Sequence, residues 1–231
     1  MNPVSTYAKA TLVLLVVSFV AGGFGEAYVP SKLIVSGDAA ATVRNVQTSG
    51  TLFRLGFIGY LIEATCDVSL ALVFYMLLKP VRKDVALLAA FFGILATALF
   101  AVAELFYFAP SLILNGAGYL KTFTSDQLNS LAMLSLRFYA WGSGIFMAFY
   151  GTAWLLRAYL MFRSGYFPKA IAVLMGMAGL GFVSRNVTLV LGPAYRSGWL
   201  LLLIMPGGLA LMVWLGGQAF KTKTPLDVPL A

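Results

Sequence analysis

Long apolar runs, separated by short polar segments, form the pattern of this chain of 231 residues. At about 20 residues or more, each run is long enough to cross a hydrocarbon core about 30 Å thick as an α-helix. The runs predict about six membrane spans, at residues 9–28, 52–78, 84–109, 128–162, 168–192 and 198–220. No segment between them is long enough for a soluble domain. The pattern therefore predicts an all-α polytopic membrane helical bundle, with one transmembrane domain over residues 1–231.

Lysine and arginine are distributed unequally between the two sets of span ends. The ends joined by the longer loops carry four of these residues: Lys32, Arg44, Lys121 and Arg196. The other ends, which include both chain termini, carry eight: Lys9, Lys79, Arg82, Lys83, Arg163, Lys169, Lys221 and Lys223. Positively charged residues collect on the cytoplasmic side of membrane helices. We therefore expect both termini to lie in the cytoplasm.

The first long loop contains a short amphipathic pattern at residues 38–48. Ala39, Ala40, Val43 and Val46 recur at helical spacing, and Asp38 precedes them as a residue that commonly caps a helix N-terminus. An amphipathic helix of this kind lies in the plane of a membrane interface. The pattern predicts an interfacial helix on the outer side.

Composition narrows the functional classes. Hydrophobic residues make up 61% of the chain and charged residues only 10%, against about 25% charged in a typical soluble domain. The net charge is +8, but the basic residues lie at span ends without a basic, aromatic-rich face, so we do not expect nucleic-acid binding. The chain has no histidine, which removes Ser-His and Cys-His nucleophile pairs and leaves enzymatic activity the least favoured class. The sequence identifies no cofactor and no metal site.

Ionisable residues inside the predicted spans are candidates for function or for structural pairing, because such groups are costly in a bilayer. Glu104 on the third span and Arg137 on the fourth have similar depths, each about 11 Å to the outer side of its span centre. Each also lies beside a stripe of small residues that allows close helix contact. We therefore predict a structural ion pair between Glu104 and Arg137.

Glu63 and Asp67 form the second candidate group. They are four residues apart on the second span, so they share one helix face near the membrane centre. Two carboxylates so placed repel each other, and we expect the pair to hold one proton or to share one cation at neutral pH. Arg185, with Asn186 beside it on the fifth span, is the predicted counter-charge. A closed network that only anchors spans two and five is the alternative.

Four short motifs stand out along the chain: Phe53-Arg54-Leu55-Gly56, Cys66-Asp67-Val68, Leu78-Lys79-Pro80-Val81 and Phe162-Arg163-Ser164-Gly165-Tyr166-Phe167-Pro168. Together they resemble a family of bacterial multi-pass membrane proteins known only as a domain of unknown function, the DUF4386-like group. The similarity extends from Tyr7 to about the sixth span. This resemblance implies a helical bundle in the bacterial cytoplasmic (inner) membrane, and it implies no activity, substrate or site.

Two functional interpretations follow from these observations. In the first, an outward-facing polar cavity in the lipid-embedded bundle binds or moves a small solute, with coupling to a proton or cation and with Glu63 and Asp67 as the titrating pair; its ligand is then a small molecule or a cation. Arg137 and Arg185 then determine the electric field of the cavity. In the second, the protein is an accessory or assembly subunit of a larger membrane complex, and its buried charges only hold the bundle together.

Overall fold

The computed structural model describes residues 3–191 and 200–219, and within these ranges the protein forms eight α-helices and no strand. The helices are α1 (Pro3–Gly22), α2 (Val29–Leu33), α3 (Ala39–Thr48), α4 (Gly50–Leu78), α5 (Lys83–Ile113), α6 (Ser125–Arg163), α7 (Lys169–Leu191) and α8 (Leu200–Ala219). A π-helical segment, Gly23–Tyr28, joins α1 to α2, and a 3₁₀ turn, Gly118–Leu120, precedes α6. The prediction of an all-helical fold is confirmed.

Five helical segments in the described ranges are long and apolar enough to cross a membrane: Thr6–Leu33, Gly50–Leu78, Lys83–Ile113, Ser125–Arg163 and Lys169–Thr188. They correspond to the first five predicted spans and make this a membrane protein built as a helical bundle. The sixth predicted span contains α8, whose described apolar stretch, Leu202–Gln218, is shorter than the other five. Both ends of that predicted span lie outside the described residues.

The predicted helix in the first long loop is present as α3. The Asp38 carboxylate accepts a hydrogen bond of 2.8 Å from the backbone N–H of Ala41, which is the predicted N-terminal cap. Val43 and Val46 are buried. The Asn45 side chain donates a hydrogen bond of 3.2 Å to the carbonyl oxygen of Leu33, so α3 is tied to the end of α2. The position of α3 on the outer interface stays a prediction.

The chain divides into two compact units, and α1, α4, α5 and α6 each contribute residues to both. The α3 unit consists of residues 18–64 and 99–143. The α7 unit consists of the described residues within 1–17, 65–98 and 144–231. The α7 unit has a large apolar core that includes Leu160, Met161, Met175, Leu211 and Leu215, all 1% exposed or less.

Candidate functional site

In the α3 unit, glycines allow the π-helical segment to lie unusually close to α4. A Cβ atom on Gly25 would lie 2.9 Å from the carbonyl oxygen of Gly56, and one on Gly59 would lie 2.9 Å from the carbonyl oxygen of Ala21. Gly56 and Gly59 are three residues apart and therefore share one face of α4. Small residues of this kind let membrane helices pack backbone against backbone. The close contact holds Tyr60, the next residue of α4, at a fixed position beside the π-helical segment.

Three tyrosines from different helices form what we call the tyrosine cluster: Tyr60 of α4, Tyr107 of α5 and Tyr139 of α6. Their ring centroids lie 4.9 to 5.9 Å apart, and the rings meet at steep angles, edge against face. The hydroxyl oxygens of Tyr60 and Tyr139 are 2.7 Å apart and share a hydrogen bond. The hydroxyl group of Tyr107 is buried without a hydrogen-bond partner in the described part of the chain.

Glu104 lies beside the tyrosine cluster, one helical turn before Tyr107 on α5. It is 3% exposed, and neither of its carboxylate oxygens has a hydrogen-bond partner among the residues that the structure describes. Its charge interacts electrostatically with all three tyrosines. A buried carboxylate is normally hydrogen-bonded or paired. Glu104 is therefore a functional candidate by its surroundings and not only by its depth.

A second acid approaches the tyrosine cluster from the π-helical segment. Glu26 is half-buried there, and its charge interacts electrostatically with Glu104, Tyr60 and Tyr139. The basic side chains of the α3 unit are all exposed: Lys32, Arg44, Arg54, Lys121 and Arg137. The interior of this unit therefore contains acidic groups and no basic group.

The predicted ion pair between Glu104 and Arg137 is wrong. Arg137 is exposed, whereas the oxygens of Glu104 are buried without a hydrogen-bond partner in the described residues. Residues two apart on an α-helix point about 200° apart. Because Tyr139 points into the tyrosine cluster, Arg137 points away from it. Equal depth does not bring two side chains together when one of them faces outward.

Glu63 also lies in the α3 unit, half-buried on α4 against α1. Its carboxylate occupies the space that a side chain at Gly22 would take, since a Cβ there would lie 2.5 Å from Oε1 and 2.6 Å from Oε2. Gly22 precedes Glu26 by four residues, so both face the same side of the chain at this point. The glycine is thus what admits the Glu63 carboxylate to this position.

Replacing Gly22 with alanine is expected to displace the Glu63 carboxylate and to destabilise the protein by about 1 kcal/mol, at the low end of overpacking costs, because a flexible side-chain end can move. Gly23→Ala is the matched control, since a Cβ at Gly23 meets no atom within 4 Å. Thermal unfolding of both variants in detergent micelles measures the difference. Equal melting temperatures would contradict the placement of Glu63.

Asp67 lies in the α7 unit, is 4% exposed, and interacts electrostatically with Arg157 of α6. Arg157 is 3% exposed, its guanidinium lies 4.7 Å from the ring centroid of Phe74, and its Nη2 lies 2.7 Å from where a Cβ on Gly93 would be. The counter-charge predicted for Asp67 was Arg185, which is exposed on α7, with Asn186 half-buried beside it. The grouping of Glu63, Asp67, Arg185 and Asn186 in one site stays a prediction.

Sequence reasoning missed four of these residues: Arg157, Glu26, Tyr60 and Tyr107. Arg157 lies five residues before the end of the predicted fourth span, a position typical of an interfacial arginine. The available signal was Gly93 in the small-residue stripe on α5, because the Arg157 side chain packs against this glycine. Glu26 lies inside the first predicted span, which the sequence predicts as an uninterrupted helix, whereas the structure places this residue in the π-helical segment.

The carboxylates of the described residues do not form a metal centre. Among those residues, no group of three or more Asp, Glu, Cys or His side chains is arranged to hold a metal ion. The arrangement in the α3 unit can instead take up a proton, or accept hydrogen bonds from a cation that brings its own donors.

Comparison with known proteins identifies the family of this chain. Searches of curated proteins and of solved structures each found no significant match. The model of a family described as a domain of unknown function, DUF4386, matches residues 11–216. This range contains all the motifs in which the resemblance was seen, as well as Glu26, Glu104 and the tyrosine cluster. The chain belongs to the DUF4386 family.

Proposed function

We propose that this protein binds or moves a small solute at an outward-facing polar site, with uptake and release of a proton or cation. In this proposal, Glu104 is the binding residue of the site. The observation behind this proposal is that both carboxylate oxygens of Glu104 are buried without a hydrogen-bond partner in the described residues. An isolated carboxylate in an apolar interior is strongly disfavoured, so such a group is neutralised by a proton or by a bound cation.

The charge of the surroundings supports the same proposal. Four ionisable groups face Glu104: Tyr60 from α4, Tyr139 from α6, Glu26 from the π-helical segment, and Tyr107 from α5 itself. All of these groups are neutral or negative. An anionic solute would be repelled, whereas a proton or a cation would be attracted.

The proposed outward orientation rests on the loops. The α3 unit includes the two longer loops, which carry Lys32, Arg44 and Lys121 and which the distribution of positive residues assigns to the non-cytoplasmic side. Glu104 then lies on the outer side of the centre of α5. Together with the resemblance to bacterial proteins, this orientation supports a place in a bacterial cytoplasmic membrane with both termini inside.

An accessory or assembly role is the second candidate function, and one observation favours it. The tyrosine rings pack directly on one another and on Phe53 and Phe100, with a hydrogen bond between Tyr60 and Tyr139. Such packing stabilises a helix bundle without any ligand. Stable co-purification with a larger complex, at fixed stoichiometry, would support this role.

The protonation of Glu104 is the expected result that tests the first proposal. Infrared difference spectra of the protein in lipid nanodiscs, taken between mildly acidic and mildly alkaline pH, should show the C=O stretch of a protonated carboxyl group that Glu104→Gln removes. Asp126→Asn is the matched control, because Asp126 is an exposed acid of the same unit. The band should persist in that variant.

If no Glu104-dependent carboxyl band changes with pH or with any added cation, Glu104 exchanges nothing and the proposed function is wrong. Lower stability of Glu104→Gln, without a spectral change in the wild type, would then favour the accessory role.

A further inference from the structure

We infer that the solute is an organic ammonium cation, held by Glu104 and Tyr107 through its N–H groups and surrounded by the rings of the tyrosine cluster. This inference rests on the proposed function of Glu104 and specifies the chemical class of its ligand. Three independent features of the α3 unit carry it: missing hydrogen-bond donors, aromatic surroundings, and an interior without basic side chains.

The missing donors can be counted. Glu104 presents two acceptor oxygens, and the Tyr107 hydroxyl presents another, all buried and without a hydrogen-bond partner in the described residues. A proton on Glu104 neutralises its charge and supplies one donor, and the Tyr107 hydroxyl can donate as well as accept, but neither group hydrogen-bonds to the other in the structure. A primary ammonium carries three N–H donors. It can therefore satisfy both Glu104 oxygens and the Tyr107 hydroxyl, with charge-assisted hydrogen bonds to the carboxylate.

The aromatic rings favour an organic cation over a metal ion. The negative face of an aromatic ring attracts a cation within about 6 Å of its centroid, most strongly where water is excluded. Tyr60 and Tyr107 are fully buried, and Phe53 and Phe100 surround them. Divalent metal ions require several oxygen ligands, and the described residues offer no such group of three acidic, cysteine or histidine side chains.

The charged side chains of the α3 unit determine the sign and size of the charge that a ligand carries at this site. Glu104 and Glu26 are the acids that interact with each other at the cluster, and every basic side chain of the unit is exposed. A cation at this position therefore meets no competing positive charge from the described residues of this unit. A single positive charge compensates Glu104 when the cation binds, and Glu26 adds to the attraction.

The test uses the full-length protein in lipid nanodiscs with three probes: ethylammonium, tetramethylammonium and sodium, each as the chloride. Binding is measured by saturation-transfer NMR for the organic ions and by competition for sodium. Ethylammonium is expected to bind. Tetramethylammonium has the same charge but no N–H donor, and we expect it to bind about tenfold more weakly. Sodium should not displace ethylammonium at equal concentration.

Variants link the binding to the named side chains. Glu104→Gln should abolish ethylammonium binding, and Asp126→Asn should leave it unchanged. Tyr107→Phe removes only a hydroxyl group without a partner, so this variant is expected to fold normally and to weaken ethylammonium binding about fivefold. Tyr107→Phe therefore tests the inference even if Glu104→Gln fails to fold.

Failure of this inference is distinguishable from failure of the proposed function. If Glu104 shows its pH-dependent carboxyl band but ethylammonium does not bind, the ammonium inference is overturned and the proposed function stands. Equal binding of tetramethylammonium, or displacement by sodium, also overturns it, because neither ion donates N–H hydrogen bonds. If neither the band nor any cation binding is found, both proposals fail.

Discussion

Replacing Asp67 with asparagine is expected to destabilise the protein by about 3–5 kcal/mol, because the substitution leaves Arg157 buried without its counter-charge. Both side chains are less than 5% exposed, and Asp67 is the acidic group that interacts with Arg157. In a protein of this size such a loss lowers the melting temperature by about 10 °C. Thermal unfolding in detergent micelles measures it, with Asp126→Asn as the exposed-acid control.

A double variant separates the charge interaction from simple loss of packing. Removing both charges, in Asp67→Asn with Arg157→Gln, should recover part of the stability lost in Asp67→Asn alone. Strict additivity of the two single effects would show that Asp67 and Arg157 do not interact. Ethylammonium binding by the folded double variant should equal that of the wild type, because neither residue belongs to the α3 unit.

Replacing Gly59 with alanine is the second substitution with a large expected effect. The new methyl group would lie 2.9 Å from the carbonyl oxygen of Ala21 and 3.5 Å from the backbone nitrogen of Gly25. Because these are backbone atoms, the helices themselves must separate, at a cost of about 1–3 kcal/mol or more. The separation moves Tyr60, so we expect weaker ethylammonium binding together with a lower melting temperature.

Gly50→Ala is the control for Gly59→Ala on the same helix. A Cβ at Gly50 meets no atom within 4 Å. Alanine is the better helix former by up to about 1 kcal/mol, so this variant should be as stable as the wild type or slightly more stable. If Gly59→Ala behaves like Gly50→Ala, the close contact between α4 and the preceding segment does not exist in solution.

Hydropathy predicted the spans because the cost of exposing polar backbone to lipid acts on whole segments of about 20 residues. It places a boundary within a few residues and is insensitive to any single side chain. The α3 helix was predictable for a local reason: Asp38 caps it, and Val43 and Val46 recur on one face. In both cases the determining interaction lies within the segment itself.

The partners of the buried charges were not predictable in the same way, because a pairing depends on the rotation of two helices about their axes. Glu104 and Arg137 matched in depth, yet Arg137 points outward. Asp67 interacts with Arg157, which depth alone placed near the end of its span. Small-residue stripes indicate where helices approach, but many rotations satisfy one stripe. Only the packed structure distinguishes among them.

The π-helical segment has a consequence for the comparison of family members. Its i→i+5 hydrogen bonding accommodates more residues per turn than an α-helix does, and such segments occur often at functional sites. Each added or deleted residue rotates everything after it by about 100°. A homologue one residue shorter between Gly23 and Tyr28 would therefore present a different side chain in place of Glu26. A one-residue gap in an alignment at this position would mark a change in the acidity of the site, even where every aligned residue is identical.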